Sequence, residues 1–109
     1  MATRFEVHGK SGKRYLGWLF PLTMRFDDIS CVYVVMAYDI ENNDFVTVYV
    51  GETEAFGTRL SSHEKKSCWE KESATHVFVF RTDKNTSEER RAIKSDILTN
   101  PQYLLPCNR

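Results

Sequence analysis

Cys31-Val32-Tyr33-Val34-Val35-Met36-Ala37-Tyr38 and Phe45-Val46-Thr47-Val48-Tyr49-Val50-Gly51 decide how this chain is read. In the first stretch Val32, Tyr33, Val34 and Val35 follow one another with no polar alternation. That is the pattern of a strand buried on both faces. The second stretch is equally rich in β-branched and aromatic residues. Glu41-Asn42-Asn43-Asp44 lies between them and has turn composition. The pair predicts a β-hairpin of two central strands.

Working outward, residues 4–8 and 15–20 read as two short strands around Gly9-Lys10-Ser11-Gly12, and Pro21 ends the second. Residues 55–66 read as a helix. Phe56, Leu60 and His63 fall near one face, and Gly57 weakens the first turn. Residues 68–73 read as a further short helical turn. Residues 74–81 alternate as a strand, with His76, Phe78 and Phe80 on one side and Val77 and Val79 on the other. A last helix is expected from about Glu88 to Thr99. Thr86 or Ser87 caps it, Glu88 and Glu89 suit its N-terminal dipole, and Pro101 stops it. The order predicts an α+β domain over residues 1–109, with a small sheet partly covered by helices.

Composition sets outer limits. A length of 109 residues with 41% hydrophobic and 28% charged residues suits one soluble domain with a modest core. The formal net charge of +0 gives no overall positive field to draw the chain onto nucleic acid, so any phosphate binding has to come from a local patch. No apolar stretch has the length of a membrane span, and residues 1–10 lack the layout of a secretory signal. Cys31, Cys68 and Cys107 are too scattered for a C-x-x-C metal site and odd in number. They read as three reduced thiols in a cytoplasmic protein. Trp18 and Trp69 read as packing or partner-facing anchors, with nothing in the sequence to choose between the two.

The two hairpin stretches carry Cys31-Val32-Tyr33 and Tyr49-Val50-Gly51. Thr53, Arg59-Leu60, His63 and finally Asn108 follow in that order. This succession resembles the GIY-YIG nuclease superfamily. The resemblance covers about the last three quarters of the chain. It implies a three-stranded antiparallel sheet flanked by helices over residues 31–109, with residues 1–30 as an N-terminal hairpin extension outside that core. It also implies site roles. Tyr33 and Tyr49 would sit in an active-site groove, Arg59 and His63 would join them around a phosphate, and Gly51 and Asn108 would position the framework. Cys31 and Val50 replace the motif's glycine and isoleucine.

Phosphodiester hydrolysis needs an activated water and charge relief on the phosphate oxygens. An arginine fork suits two such oxygens. In the family a glutamate on the last helix would hold one Mg²⁺, a hard ion that prefers carboxylate and water. Here the matching stretch is Ile93-Lys94-Ser95-Asp96-Ile97-Leu98, which puts Lys94 at the glutamate position. An ammonium does not ligate Mg²⁺. Asp96 is two residues on and faces another way. Arg90 and Arg91 share the face of Lys94 and predict a cationic stripe.

Three readings follow. The first-ranked is a degenerate nuclease-like domain in which Arg59, His63, Lys94 and Arg90 hold nucleic-acid phosphate, DNA ahead of RNA, with weak or no metal-dependent cleavage and no bound metal. The second is an active Mg²⁺-dependent endonuclease with Tyr33, Tyr49, Arg59 and His63 as catalytic residues. The third is an inactive module that docks a protein partner. The bland alternatives are strand aromatics for Tyr33 and Tyr49, a core-facing histidine for His63 and a solvated helix face for Arg90, Arg91 and Lys94.

Overall fold

The computed structural model describes residues 2–109. Five strands form one antiparallel sheet: β1 (Thr3–His8), β2 (Arg14–Pro21), β3 (Cys31–Asp39), β4 (Asp44–Thr53) and β5 (His76–Arg81), in the order β1-β2-β5-β3-β4. Three α-helices accompany it: α1 (Phe56–Ser61), α2 (Lys66–Lys71) and α3 (Ser87–Leu98). A 3₁₀ turn, Pro106–Asn108, closes the chain. The architecture is α+β.

β3 is the spine. Cys31 through Met36 are all buried. β4 pairs along one edge, with a register shift between Val35 and Met36, and β5 pairs along the other. Alternate residues feed two cores. Cys31, Tyr33 and Val35 join Phe56, Leu60 and Trp69 under α1 and α2. Val32, Val34 and Met36 join Phe78, Ile97 and Leu105 under α3. A strand with both faces covered has to read as an unbroken apolar run, which is why the 31–36 stretch does.

The sheet has five strands rather than three. The hairpin β1–β2 is not an appendage outside the core: β2 pairs with β5 through Trp18↔Val79 and Phe20↔Val77. Val7, Tyr15 and Leu19 are buried against Phe78 and Ile97. Asp96 ties the hairpin turn to α3, accepting hydrogen bonds from the Ser11 amide at 2.9 Å, the Ser11 hydroxyl at 2.7 Å and the Tyr15 hydroxyl at 2.7 Å. Its carboxyl is held below the usual range despite burial, because these donors favour the charged form.

The helix expected over residues 55–66 stops at Ser61, and a separate helix runs from Lys66 to Lys71. His63 is the reason for the break: its ring turns inward and accepts the Lys65 amide at 3.0 Å. α3 matches expectation closely. Thr86 accepts the Glu89 amide while the Glu89 side chain accepts the Thr86 amide, a full capping box.

Cys68 and Cys107 form a disulfide, with their Cα atoms 5.8 Å apart. This overturns the expectation of three reduced thiols, and the thiol-based ground for a cytoplasmic setting falls with it. Only Cys31 is free, and burial pushes its thiol up to about 12. Sequence spacing could not show a bond that joins α2 to the terminal turn across 39 residues. No helix of the described residues is long and apolar enough to cross a membrane.

The cross-link generates a test. Cys68→Ser with Cys107→Ser should lower the unfolding free energy by roughly 2–4 kcal/mol. Urea denaturation reads this, and dithiothreitol treatment of the wild type should match it. Identical midpoints in all three samples would mean that the bond contributes nothing.

Candidate functional site

Tyr33 and Tyr49 point to the same face of the sheet, the one that α1 and α2 cover. Their rings lie 6.2 Å apart. Gly51, directly across from Tyr33 in the β3–β4 pairing, makes this possible. A Cβ at Gly51 would come within 2.5 Å of the Tyr33 hydroxyl. The glycine is required for close approach of a ring, not for a turn.

His63 enters from the segment between α1 and α2 and is only 4% exposed. Its ring packs edge-on to Tyr49 at 5.0 Å and against Trp69 at 4.6 Å. Nε2 lies 2.9 Å from the Tyr33 hydroxyl. Because Nδ1 accepts the Lys65 amide, the proton of the neutral ring resides on Nε2. His63 therefore donates to Tyr33 and has no free lone pair to take a proton from it. Burial, with Arg59 adding to it, lowers the His63 pKa to about 4. At neutral pH this is an uncharged, fully bonded histidine. In this state it carries no charge of its own toward a phosphate.

Burial raises the pKa of both tyrosines. Arg59 opposes this at each hydroxyl through its charge and hydrogen bonding. The two groups are phenols at neutral pH, suited to donate to an oxyanion and poorly suited to act as base.

Arg59 is the member that reaches solvent, with 36% of its side chain exposed. Its guanidinium holds Glu64 through two bonds, Nη1 to Oε1 at 2.6 Å and Nη2 to Oε2 at 2.8 Å. This paired fork is the geometry by which arginine binds carboxylate or phosphate. The Arg59 contact holds the Glu64 carboxyl down to about 2. Glu64 fills the guanidinium fork, and sequence reading missed it. A carboxylate five residues after an arginine gives no signal unless the helix between them breaks.

Arg90 is a clear correction. It is buried, and its Nε meets Glu52 at 2.7 Å, Nη1 meets the Ser30 hydroxyl at 3.0 Å and Nη2 meets Glu54 at 3.4 Å. It staples α3 to the end of β4 and is spent as a phosphate ligand. The expected cationic stripe is thus reduced to Lys94, which is half-buried, and Arg91, which is exposed. No hydrogen bond, ion pair or ring contact among the described residues joins Lys94 to the tyrosine cluster. Asn108 is placed as a framework residue. Its side chain accepts the Val50 amide at 2.8 Å and donates to the Val50 carbonyl at 3.0 Å, pairing the outer edge of β4 like a short strand.

Mg²⁺ is the ion that the resemblance implies. Among the described residues no group of three His, Cys, Asp or Glu side chains could hold a metal, and Glu52 and Glu54 are committed to Arg90. A cavity of about 650 Å³ opens beside α1 and α2, lined by Leu22, Met24, Phe26, Leu60 and Trp69 among others. None of Tyr33, Tyr49, Arg59 and His63 lines it.

Comparison with protein-family models, with curated proteins and with solved structures returns no match.

Two outcomes follow from this geometry. Gly51→Ala should destabilise the fold by about 1–3 kcal/mol, because the added methyl meets the Tyr33 ring and hydroxyl. A chemical melt unchanged from wild type would refute the close approach. His63 titrates near 6.5 when unfolded and about 4 when folded, so the unfolded chain binds more protons between those values. Stability should therefore rise with pH across that window and level off above it, by roughly 3 kcal/mol at most. Urea melts at intervals from pH 4 to pH 7 measure it, and His63→Gln should flatten the curve.

Proposed function

We propose that this chain is an oxyanion-binding domain derived from a GIY-YIG-like nuclease scaffold. It holds nucleic-acid phosphate at Arg59 and cleaves weakly or not at all with metal. The observation that carries the reading is the Arg59–Glu64 fork beside two buried phenols. A planar two-oxygen anion already sits there in the form of a side chain. Phosphate offers the same two oxygens, and the phenols add donors behind the guanidinium.

Other features favour binding over cutting. Both tyrosines stay protonated, His63 is a donor to Tyr33, and Lys94 stands where the resemblance puts a magnesium ligand. Holding a phosphate asks only for donors. Hydrolysis also asks for a base to activate water and a route for the leaving alkoxide. The residues supply the first need and leave the second unmet.

Glu64 competes with the ligand for Arg59 in this reading. Its exposed pair with Arg59 is worth little in water, so an incoming phosphate displaces it at small cost. Duplex DNA binding by fluorescence anisotropy across a salt series tests the scheme. Glu64→Gln should tighten binding by about threefold to fivefold. Arg59→Ala should weaken it by about tenfold and reduce the salt slope by about one. Equal affinities for all three proteins would remove Arg59 from the interface. Plasmid nicking by the wild type with Mg²⁺ or Mn²⁺ would instead establish an active endonuclease.

A further inference from the structure

A second surface, away from Arg59, has its own chemistry. β1 and β2 present one side of their hairpin to solvent. Across their register Arg4 stands opposite Trp18, Glu6 opposite Leu16 and His8 opposite Arg14. Trp18 is 43% exposed and Leu16 is 51% exposed. No helix covers them. The Arg4 guanidinium lies over the indole, 5.1 Å from its centroid. A shallow cavity of about 310 Å³ opens at this spot, lined by Arg4, Leu16, Gly17, Trp18, Val79, Phe80 and Arg81.

We propose that this face binds single-stranded nucleic acid, with an unpaired base stacked on Trp18 and Leu16 and the phosphates met by Arg4 and Arg14. An exposed indole on a sheet face among guanidinium groups is the combination that serves unpaired strands. The ring takes the π-face of any base, and the cations follow the backbone. A duplex offers no free base face to stack. Arg4 has no carboxylate partner among the described residues. Arg14 reaches Glu6 only at 4.0 Å, with 71% of its side chain exposed. Arg81 lines the cavity too, with its guanidinium held by Asp83 at 2.8 Å. Arg4, Arg14 and Arg81 outnumber Glu6 and Asp83 on this surface. The local balance is therefore positive on a chain whose net charge is +0.

The position adds to the argument. One cross-strand row runs Arg4, Trp18, Val79, Tyr33, Gly51. Trp18 and Tyr33 thus share a sheet face, two strand spacings or about 10 Å apart. The stacking site does not depend on Arg59 binding anything.

Anisotropy with a labelled short oligothymidylate, and with a matched duplex, tests the proposal alongside quenching of the exposed indole by unlabelled oligothymidylate. The wild type should bind the single strand in a salt-dependent manner with quenched emission. Trp18→Ala should weaken single-strand binding by about tenfold and leave duplex binding unchanged, while Trp18→Phe should retain most of it. Trp18 is surface-exposed, so circular dichroism should show both variants folded. Arg59→Ala should keep the indole quenching, which separates this site from the one at Arg59. Any of four results would overturn the proposal: no binding of oligothymidylate by the wild type, equal affinity in Trp18→Ala, loss of quenching in Arg59→Ala, or a wild-type dimer in sedimentation that Trp18→Ala abolishes. The last would assign the face to a second copy of the chain.

Discussion

Six consecutive residues from Cys31 to Met36 are removed from water on both faces of one strand. Their backbone N–H and C=O groups have to pair inside the protein, because a buried unpaired group forfeits on the order of 1–3 kcal/mol. β4 and β5 supply that pairing on the two edges. The two faces then need separate covers. α1 and α2 close the tyrosine side, and α3 with the β1–β2 hairpin closes the other. The fold is the set of neighbours that this strand demands.

The same burial shapes the chemistry. A ring of tyrosines, histidine and tryptophan sits below the surface on the α1–α2 side, so its titratable members are driven toward their neutral forms. The charged member, Arg59, stays at the rim, where Glu64 can reach it. Neutral donors behind one exposed cation are what the proposed anion site rests on. A base poised for proton transfer would need the opposite balance, with a group whose pKa lies near neutrality.

Two long-range ties hold this arrangement from behind. The Cys68–Cys107 bond fixes α2 to the terminal turn, and Asn108 in that turn completes the edge of β4 at Val50. Trp69 follows Cys68 directly and packs against His63 at a tilt. The end of the chain therefore supports the floor of the candidate site through covalent and hydrogen bonds, not through apolar packing alone. Arg90 does the equivalent for α3. Its ion pairs with Glu52 and Glu54 convert what reads as a surface cation into a buried fastening.

The sequence by itself determined the strands and the last helix. Those depend on local period and on capping, and residues 31–38, 45–50 and 86–98 state both without reference to the rest of the chain. The resemblance named Tyr33, Tyr49 and His63 together, and their rings do lie together. Only the tertiary structure decided that β2 continues the sheet through β5, that Cys68 meets Cys107, that Arg90 is consumed by two glutamates and that Glu64 holds Arg59. Each of these joins groups whose meeting depends on the path of the chain, and their charge states depend on how much water that path excludes. Periodicity carries neither quantity, because it describes a residue's neighbours along the chain and not those across it.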